Sequence, residues 1–131
     1  MDTAGRLPFY VETVPDMAWD LVELTTKPLT IIYPGARNVA PSLVAEDGSI
    51  GIRVTDDPFS RDLCARLRAP LVSTSANISG EPTPLNFDAI ADEIKAGVDY
   101  VVHFRQDEAA GAKPSSIIKL GVHNEVKVIR N

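Results

Sequence analysis

The apolar residues of the chain alternate between helical and extended patterns, and these patterns predict the order of its elements. Asp57 can cap the second of three predicted helices, and Pro58 fits the first position of that helix. Gly97 is expected to end the third. The helices predicted from apolar residues three or four positions apart are residues 15–24, 58–69 and 86–96.

Short runs rich in aliphatic and β-branched residues predict strands between and after these helices. The predicted strands are residues 29–33, 49–54, 71–74, 100–104, 116–120 and 125–129. The last two are expected to form a hairpin that turns at residues 122–124. Because strands alternate with helices, the predicted fold class is α/β, with a twisted mixed sheet and flanking helices.

Length and composition indicate an ordinary globular protein. The 131 residues fit a single domain over 1–131, with 44% hydrophobic and 24% charged residues. No apolar run approaches the about 20 residues of a membrane span, and the first residues lack a signal-peptide pattern. We therefore expect a cytoplasmic location and no membrane partner. The net charge of −5 does not favour general affinity for nucleic acid.

Cysteine and histidine are too few to suggest a metal centre or acid–base catalysis. Cys64 is the single cysteine and lies in a helical pattern, so we expect a buried core thiol. His103 and His123 have no partner suggested by spacing and are expected to be structural or exposed. No metal ligand is predicted and no catalytic residue is assigned, because no Ser-His-Asp set, carboxylate pair or P-loop is present.

A polar segment follows the predicted buried strand 71–74 and extends to residue 84. Ser73, Ser75 and Asn77 bring hydroxyl and amide groups to the carboxyl end of a strand, where α/β sheets bind ligands. These groups could hold a phosphate, a ribose or an amino acid. A plain Ser/Asn/Gly turn explains the same residues, so residue chemistry alone leaves both interpretations open.

A second polar cluster, residues 111–120, precedes and enters an apolar strand. Lys113, Ser115 and Ser116 could hold a phosphate, although a solvated loop explains them as well. Thr30 lies within an aliphatic strand. Arg53 alternates with the apolar residues of its strand and either faces solvent or binds an anion in a site.

Four segments together resemble one known family. The segment STSANISGEPTP, residues 73–84, looks like the signature loop of the YrdC-like family, which contains the threonylcarbamoyl-AMP synthases and their YciO-type relatives. Three further segments resemble family strands in order and spacing. They are KPLTIIYPG (27–35), SIGIRVTDDPF (49–59), which has Thr55 where proline is usual, and KPSSIIKL (113–120).

The resemblance implies a YrdC-like fold and a synthase that uses ATP, with Mg²⁺, L-threonine and bicarbonate. The product would be threonylcarbamoyl-adenylate, whose acyl group other proteins pass to tRNA. The residues that the resemblance assigns to nucleotide binding are Thr30, Ser75, Asn77, Thr83, Ser115, Ser116 and Arg130. Those that it assigns to the substrate are Ser73 and Arg53.

The chain also departs from the family pattern. The family begins with a Pro-Thr-Asp-Thr-Val-Tyr-like segment and a Lys/Arg-rich segment, and neither is present in this sequence. We therefore expect a domain that lacks its first part and that has little or no synthase activity by itself. An exposed sheet edge would favour a homo-oligomer. The alternatives are a non-catalytic nucleotide- or double-stranded-RNA-binding module of YciO type, and a remnant that pairs with a partner.

Overall fold

The computed structural model describes residues 1–109, 111 and 113–131, so that residue 112 of the predicted polar cluster 111–120 lies outside it. The contacts within the chain define two compact units. Unit 1 comprises Met1–Leu71 and Pro114–Asn131, and unit 2 comprises Val72–Lys113. Within the described residues, no helix has the length and apolar character needed to cross a membrane.

A four-stranded mixed sheet forms the centre of unit 1. Its strands are β1 (Leu29–Tyr33), β2 (Ile50–Ile52), β3 (Ser116–Leu120) and β4 (Val126–Arg130). The spatial order is β2-β1-β3-β4, with β1 and β3 parallel and the two outer pairs antiparallel. The predicted mixed sheet and the C-terminal hairpin are therefore confirmed.

One face of this sheet carries the core of unit 1. Ile31 and Tyr33 on β1 point to the same side and are buried, together with Leu120 on β3. Side chains of two helices, α1 (Leu7–Tyr10) and α2 (Asp16–Leu24), pack in the same cluster. Because side chains alternate along a strand, the neighbouring positions on β1 must face the opposite side.

The third helix, α3 (Pro58–Leu67), follows the sequence prediction closely. The Asp57 carboxylate accepts a hydrogen bond from the Ser60 amide at 2.9 Å, which satisfies one free N–H of the first turn. Arg68 adopts a left-handed conformation at the end of the helix, and Pro70 follows. Cys64 is buried on this helix, which confirms the predicted core thiol.

Unit 2 has little regular structure, and here two predicted strands are wrong. Residues 71–74 and 100–104 form no ladder with any described residue. Val72 is 73% exposed, so the predicted buried strand is an exposed segment without regular structure. Apolar and β-branched composition favours a strand only where a neighbour supplies backbone partners, and none of the described residues does so here.

The helix predicted over residues 86–96 is also shorter than expected. The structure has only α4 (Asp92–Ala96). Asn86 accepts a hydrogen bond from the Ala89 amide at 2.9 Å, which closes a local turn in place of the first helical turn. Ala91 is extended, with φ −56° and ψ 139°, and sets the start of α4.

The N-terminal segment contains core residues that the sequence patterns did not predict. A 3-10 turn at Ala4–Arg6 leads directly into α1. Leu7 and Val11 are completely buried beneath the sheet face that carries Ile31. The segment is too short to show a helical repeat in its sequence. The residues that mark its helical turns are Thr3, which caps the 3-10 turn, and Pro8 in the first turn of α1.

The buried hydroxyl of Tyr33 leads to a stability prediction. It finds no hydrogen-bond partner among the described residues, and burial raises the pKa of Tyr33, so the side chain stays protonated. Replacing Tyr33 with Phe removes an unsatisfied polar group without creating a cavity. We expect Tyr33→Phe to raise the free energy of unfolding by about 1 kcal/mol. Urea denaturation measures this, with exposed Tyr100→Phe as the control. A decrease of about 1 kcal/mol or more in the free energy of unfolding would show that the hydroxyl is satisfied.

Candidate functional site

The structure brings three of the predicted nucleotide-binding residues together in unit 1. The hydroxyl groups of Thr30 and Ser115 lie 2.8 Å apart and are partly buried. The guanidinium of Arg130 donates two hydrogen bonds to the Ser115 carbonyl, at 3.0 Å from Nε and 2.7 Å from Nη2. Since β1 and β3 are adjacent and parallel, residues at their amino ends necessarily meet.

Ser116 is not part of this cluster. It pairs with Leu29 in the β1–β3 ladder, and its amide donates to the Pro28 carbonyl at 3.0 Å. Alternation along β3 places Ser116 on the core face with Ile118, whereas Ser115 is on the face of Thr30. The two adjacent serines therefore point to opposite sides of the sheet.

The face of the sheet that carries Thr30 has polar and basic side chains beside Ile32 and Ile117. We call it the polar face, and it is defined by the positions that alternate with the buried ones. A side chain at Gly51 would contact the Thr30 methyl group, at 3.6 Å, which shows that both lie on this face. The basic residues that the strand ladders assign to the polar face are Lys119, Lys127 and Arg130.

Two of these cations already have partners. Arg130 holds the Ser115 carbonyl, and Lys119 forms a salt bridge with Asp47. Lys127 is the direct cross-strand neighbour of Lys119. Neither Lys127 nor the Arg53 side chain has a hydrogen bond or salt bridge to another described residue, so their charges remain available to an anion.

The salt bridge of Asp47 makes the stability of this region depend on pH. Hydrogen bonds from Lys119, and then from Ser49, lower the pKa of the Asp47 carboxyl below its ordinary value. A lowered pKa in the folded state adds stability that is present above the ordinary value of 3.8 and is lost as the pH falls through the folded-state value.

We therefore expect Asp47→Asn to lower the melting temperature slightly at neutral pH, and we expect this difference from the wild type to shrink as the pH falls below 3.8. The effect is small and sensitive to salt because the pair is solvent-exposed. Thermal melts across pH measure it, with the neighbouring Glu46→Gln as a charge-matched control. A difference that stays constant at low pH would show that the charge is not responsible.

Unit 2 contains the polar loop that carries the other predicted nucleotide contacts. The Asn77 amide nitrogen donates to the carbonyl groups of Ile78, at 3.0 Å, and Glu81, at 3.1 Å, and so closes the loop on itself. Gly80 supports this turn with a φ of +87°. The side-chain oxygen of Asn77 is buried and has no partner among the described residues.

The remaining predicted residues of this loop are exposed. Ser73, Ser75 and Thr83 have no side-chain hydrogen bond to a described residue, so their hydroxyl groups are open to a ligand. They belong to unit 2, whereas Thr30, Ser115, Arg53 and Arg130 belong to unit 1. Each unit thus carries its own part of the predicted set.

Comparison with known proteins identifies the family. The family model of the Sua5, YciO and YrdC proteins, described as telomere recombination, matches residues 1–131. The chain belongs to the Sua5/YciO/YrdC family. The threonylcarbamoyl-AMP synthase of Pseudoalteromonas translucida is 33% identical over 121 residues, which are 88% of this chain and 63% of that protein. A relative from Methanocaldococcus jannaschii is 40% identical over 108 residues, which are 82% of this chain and 49% of the relative.

The fold agrees with a solved member of this family. The crystal structure of Escherichia coli YciO matches with a TM-score of 0.77 and 26% identity, over 99% of this chain and 62% of that one. The predicted YrdC-like α/β fold is therefore confirmed. The chain spans about half to two thirds of the length of the relatives that it matches.

Other candidate residues of this Sua5/YciO/YrdC chain do not form a site. His103 and His123 are exposed. Across the described ranges, no group of three or more His, Cys, Asp or Glu residues could hold a metal ion.

Sequence reasoning did not single out Lys119 and Lys127 as members of the polar face. The signal was available in principle, because Lys119 is two positions after Ile117 in β3 and interrupts an apolar run. Assigning it to the face of Thr30 requires the register of β1 against β3, which a single sequence does not contain.

Proposed function

We propose that the chain carries the adenylate-binding part of a threonylcarbamoyl-AMP synthase. In this reaction ATP, L-threonine and bicarbonate give threonylcarbamoyl-adenylate, pyrophosphate and water, and the acyl group is destined for tRNA modification. The observation that carries the proposal is the pair of hydroxyl groups of Thr30 and Ser115, 2.8 Å apart in a chain of the Sua5/YciO/YrdC family.

In this proposal, Thr30 and Ser115 bind the nucleotide as a unit. Each hydroxyl can donate one hydrogen bond and accept others, so the pair can bind a ribose or phosphate oxygen while keeping its mutual bond. Arg130 fixes the Ser115 backbone through two hydrogen bonds and adds positive charge beside the pair. The hydroxyl of Ser116 is on the other face of the sheet. Ser116 would therefore support the site only through its backbone, which pairs with Leu29 in the β1–β3 ladder.

The loop of unit 2 carries its own set of groups that would bind a nucleotide. The side-chain oxygen of Asn77 has no partner among the described residues. It would accept a hydrogen bond from a donor such as an adenine amino group or a ribose hydroxyl. Ser75 and Thr83 would add donors from the same loop. Ser73 would lie near the acyl group, and Arg53 would bind a substrate carboxylate through its guanidinium.

Mg²⁺ would accompany ATP in this function. The described residues offer no carboxylate cluster for it, so the phosphates and water would supply its ligands. We also propose a cytoplasmic location, where a protein that modifies tRNA would act.

Binding of the reaction product tests the proposal. Threonylcarbamoyl-adenylate has a single phosphate, so it requires less positive charge than ATP. We expect saturable binding by calorimetry. Thr30→Val, which preserves shape but removes the hydroxyl, should weaken binding about tenfold, corresponding to about 1.4 kcal/mol.

Thr26→Val is the matched control for this experiment. Thr26 is exposed, and it precedes β1 outside the hydroxyl cluster. Its replacement should leave the dissociation constant unchanged. Equal binding by wild type and Thr30→Val, or no saturable binding at all, would refute the proposed adenylate site.

A second candidate function is a non-catalytic nucleotide- or double-stranded-RNA-binding module. The structural match to YciO and the unpaired Lys127 on the polar face favour it. An RNA module would shift duplex RNA in a gel assay with a steep dependence on salt. An acyl-adenylate site gives threonine-dependent specificity, which an RNA module lacks.

We also propose that the chain forms a homo-oligomer through β4. This strand pairs with β3 on one side, and among the described residues no strand pairs with its other side. All five residues of β4 are exposed, including Val126, Val128 and Ile129. An unpaired strand of this kind is a template for pairing with a second copy.

A further inference from the structure

A cavity of about 260 Å³ in unit 1 lies outside the hydroxyl cluster of Thr30 and Ser115. It is located where β1 begins and β2 ends, beside the last turn of α2. Leu29 and Val22 contribute its apolar wall, and Thr25 and Thr55 contribute hydroxyl groups.

Three cations line this cavity: Lys27, Arg53 and Arg61. They come from three different elements, since Lys27 precedes β1, Arg53 follows β2 and Arg61 is on α3. None of their side chains has a hydrogen bond or salt bridge to another described residue. Three like charges around one cavity repel one another unless an anion compensates them.

The carboxylates at the cavity compensate only part of this positive charge. Asp2 lies 2.9 Å from Arg6, although their alignment is too poor for a hydrogen bond, and so its charge is balanced by a cation outside the cavity. Asp56 is left as the one lining carboxylate without a salt bridge to a described residue. Positive charge therefore predominates inside.

The size of the cavity limits the ligand. At about 260 Å³ it is smaller than the about 300–1,000 Å³ of pockets that enclose drug-sized molecules. Arginine forks bind tetrahedral oxyanions through paired hydrogen bonds, and lysine adds a point charge. We propose that Lys27, Arg53 and Arg61 form a binding site for a small multivalent oxyanion of the phosphate or diphosphate class.

This site shares only Arg53 with the proposed adenylate site. Its test therefore uses inorganic diphosphate and inorganic phosphate as probes, with no nucleotide present. Titration of each probe into the 15N-labelled chain at constant ionic strength should shift the backbone amides of Thr25, Lys27 and Arg53 in a saturable manner. Diphosphate should bind more tightly than phosphate because it has more charge.

Two variants and a matched control decide whether the site is specific. Arg61→Met and Lys27→Met should each weaken diphosphate binding at least about tenfold, as expected for the loss of one charge-assisted contact. Arg66→Met removes the same charge from the same helix, and Arg66 is exposed like Arg61 but does not line the cavity. It should change the dissociation constant less than about twofold.

Two results would overturn the proposal. One is the absence of saturable shifts at these amides with millimolar diphosphate. The other is an equal loss of affinity in Arg61→Met and Arg66→Met, which would show that binding follows the net charge of the surface. Both results are independent of adenylate binding, so a failure here leaves the outcome of the Thr30→Val experiment unaffected.

Discussion

The purified 131-residue chain is expected to release no pyrophosphate above background when it is given ATP, Mg²⁺, L-threonine and bicarbonate. The reason is electrostatic. A triphosphate carries several negative charges, and burying them requires cations with hydrogen bonds. The loop of unit 2 offers hydroxyl and amide groups without charge, and the chain has a net charge of −5.

The cations of the polar face are too few to change this expectation. Arg130 already donates hydrogen bonds to the Ser115 carbonyl, and Lys119 already forms a salt bridge with Asp47. On the polar face this leaves Lys127, and Arg53, beyond the end of β2, adds one further cation. A deficit of two charge-assisted contacts, each worth about 1.5–3 kcal/mol, lowers the rate by roughly a hundredfold to ten-thousandfold.

A coupled assay for pyrophosphate measures this directly. The threonylcarbamoyl-AMP synthase of Pseudoalteromonas translucida, under the same conditions, shows that the assay responds. Reactions without threonine give the background of ATP hydrolysis. Pyrophosphate release that requires both ATP and threonine would contradict the electrostatic argument and would show that the residues of these two units suffice for catalysis.

The elements of unit 1 were predictable because local signals and tertiary contacts agree there. For α3, the Asp57 cap, the proline at the first position and the apolar stripe all give the same boundaries. For β1, an aliphatic run lies between two prolines. Both elements appear where the sequence places them.

Unit 2 shows why other elements were not predictable. Residues 71–74 have strand composition, but a strand is defined by its neighbour, and composition carries no information about that neighbour. At Asn86, a side-chain hydrogen bond to Ala89 competes with helix formation, and the apolar spacing of the segment does not reveal this competition.

The candidate site was predictable as a set of residues but not as a geometry. The family motifs indicate Thr30, Ser115 and Ser116 together. Only the register of β1 against β3 shows that Ser115 meets Thr30 while Ser116 faces the core. A one-residue shift would exchange the two serines, so the choice between them depends on strand pairing.

The edge strand β4 is expected to pair with a second copy of the chain. Light scattering of the purified chain should show a dimer, and Val128→Lys should convert it to a monomer. Val128 is 64% exposed, at the centre of a strand whose outer edge is unpaired among the described residues. Pairing with a second copy would satisfy backbone groups and cover Val126 and Ile129.

A lysine at position 128 would add a charge on the opposite face of β4 from Lys127, among its apolar residues, and this charge would have to lose water beside the second strand. Leu24→Lys is the control. Leu24 is 77% exposed at the end of α2, so its replacement adds the same charge and removes a similar apolar surface away from the edge. It should leave the dimer intact. A wild-type chain that remains a monomer at all concentrations would contradict the edge-pairing proposal, and dissociation by Leu24→Lys as well would place the interface elsewhere.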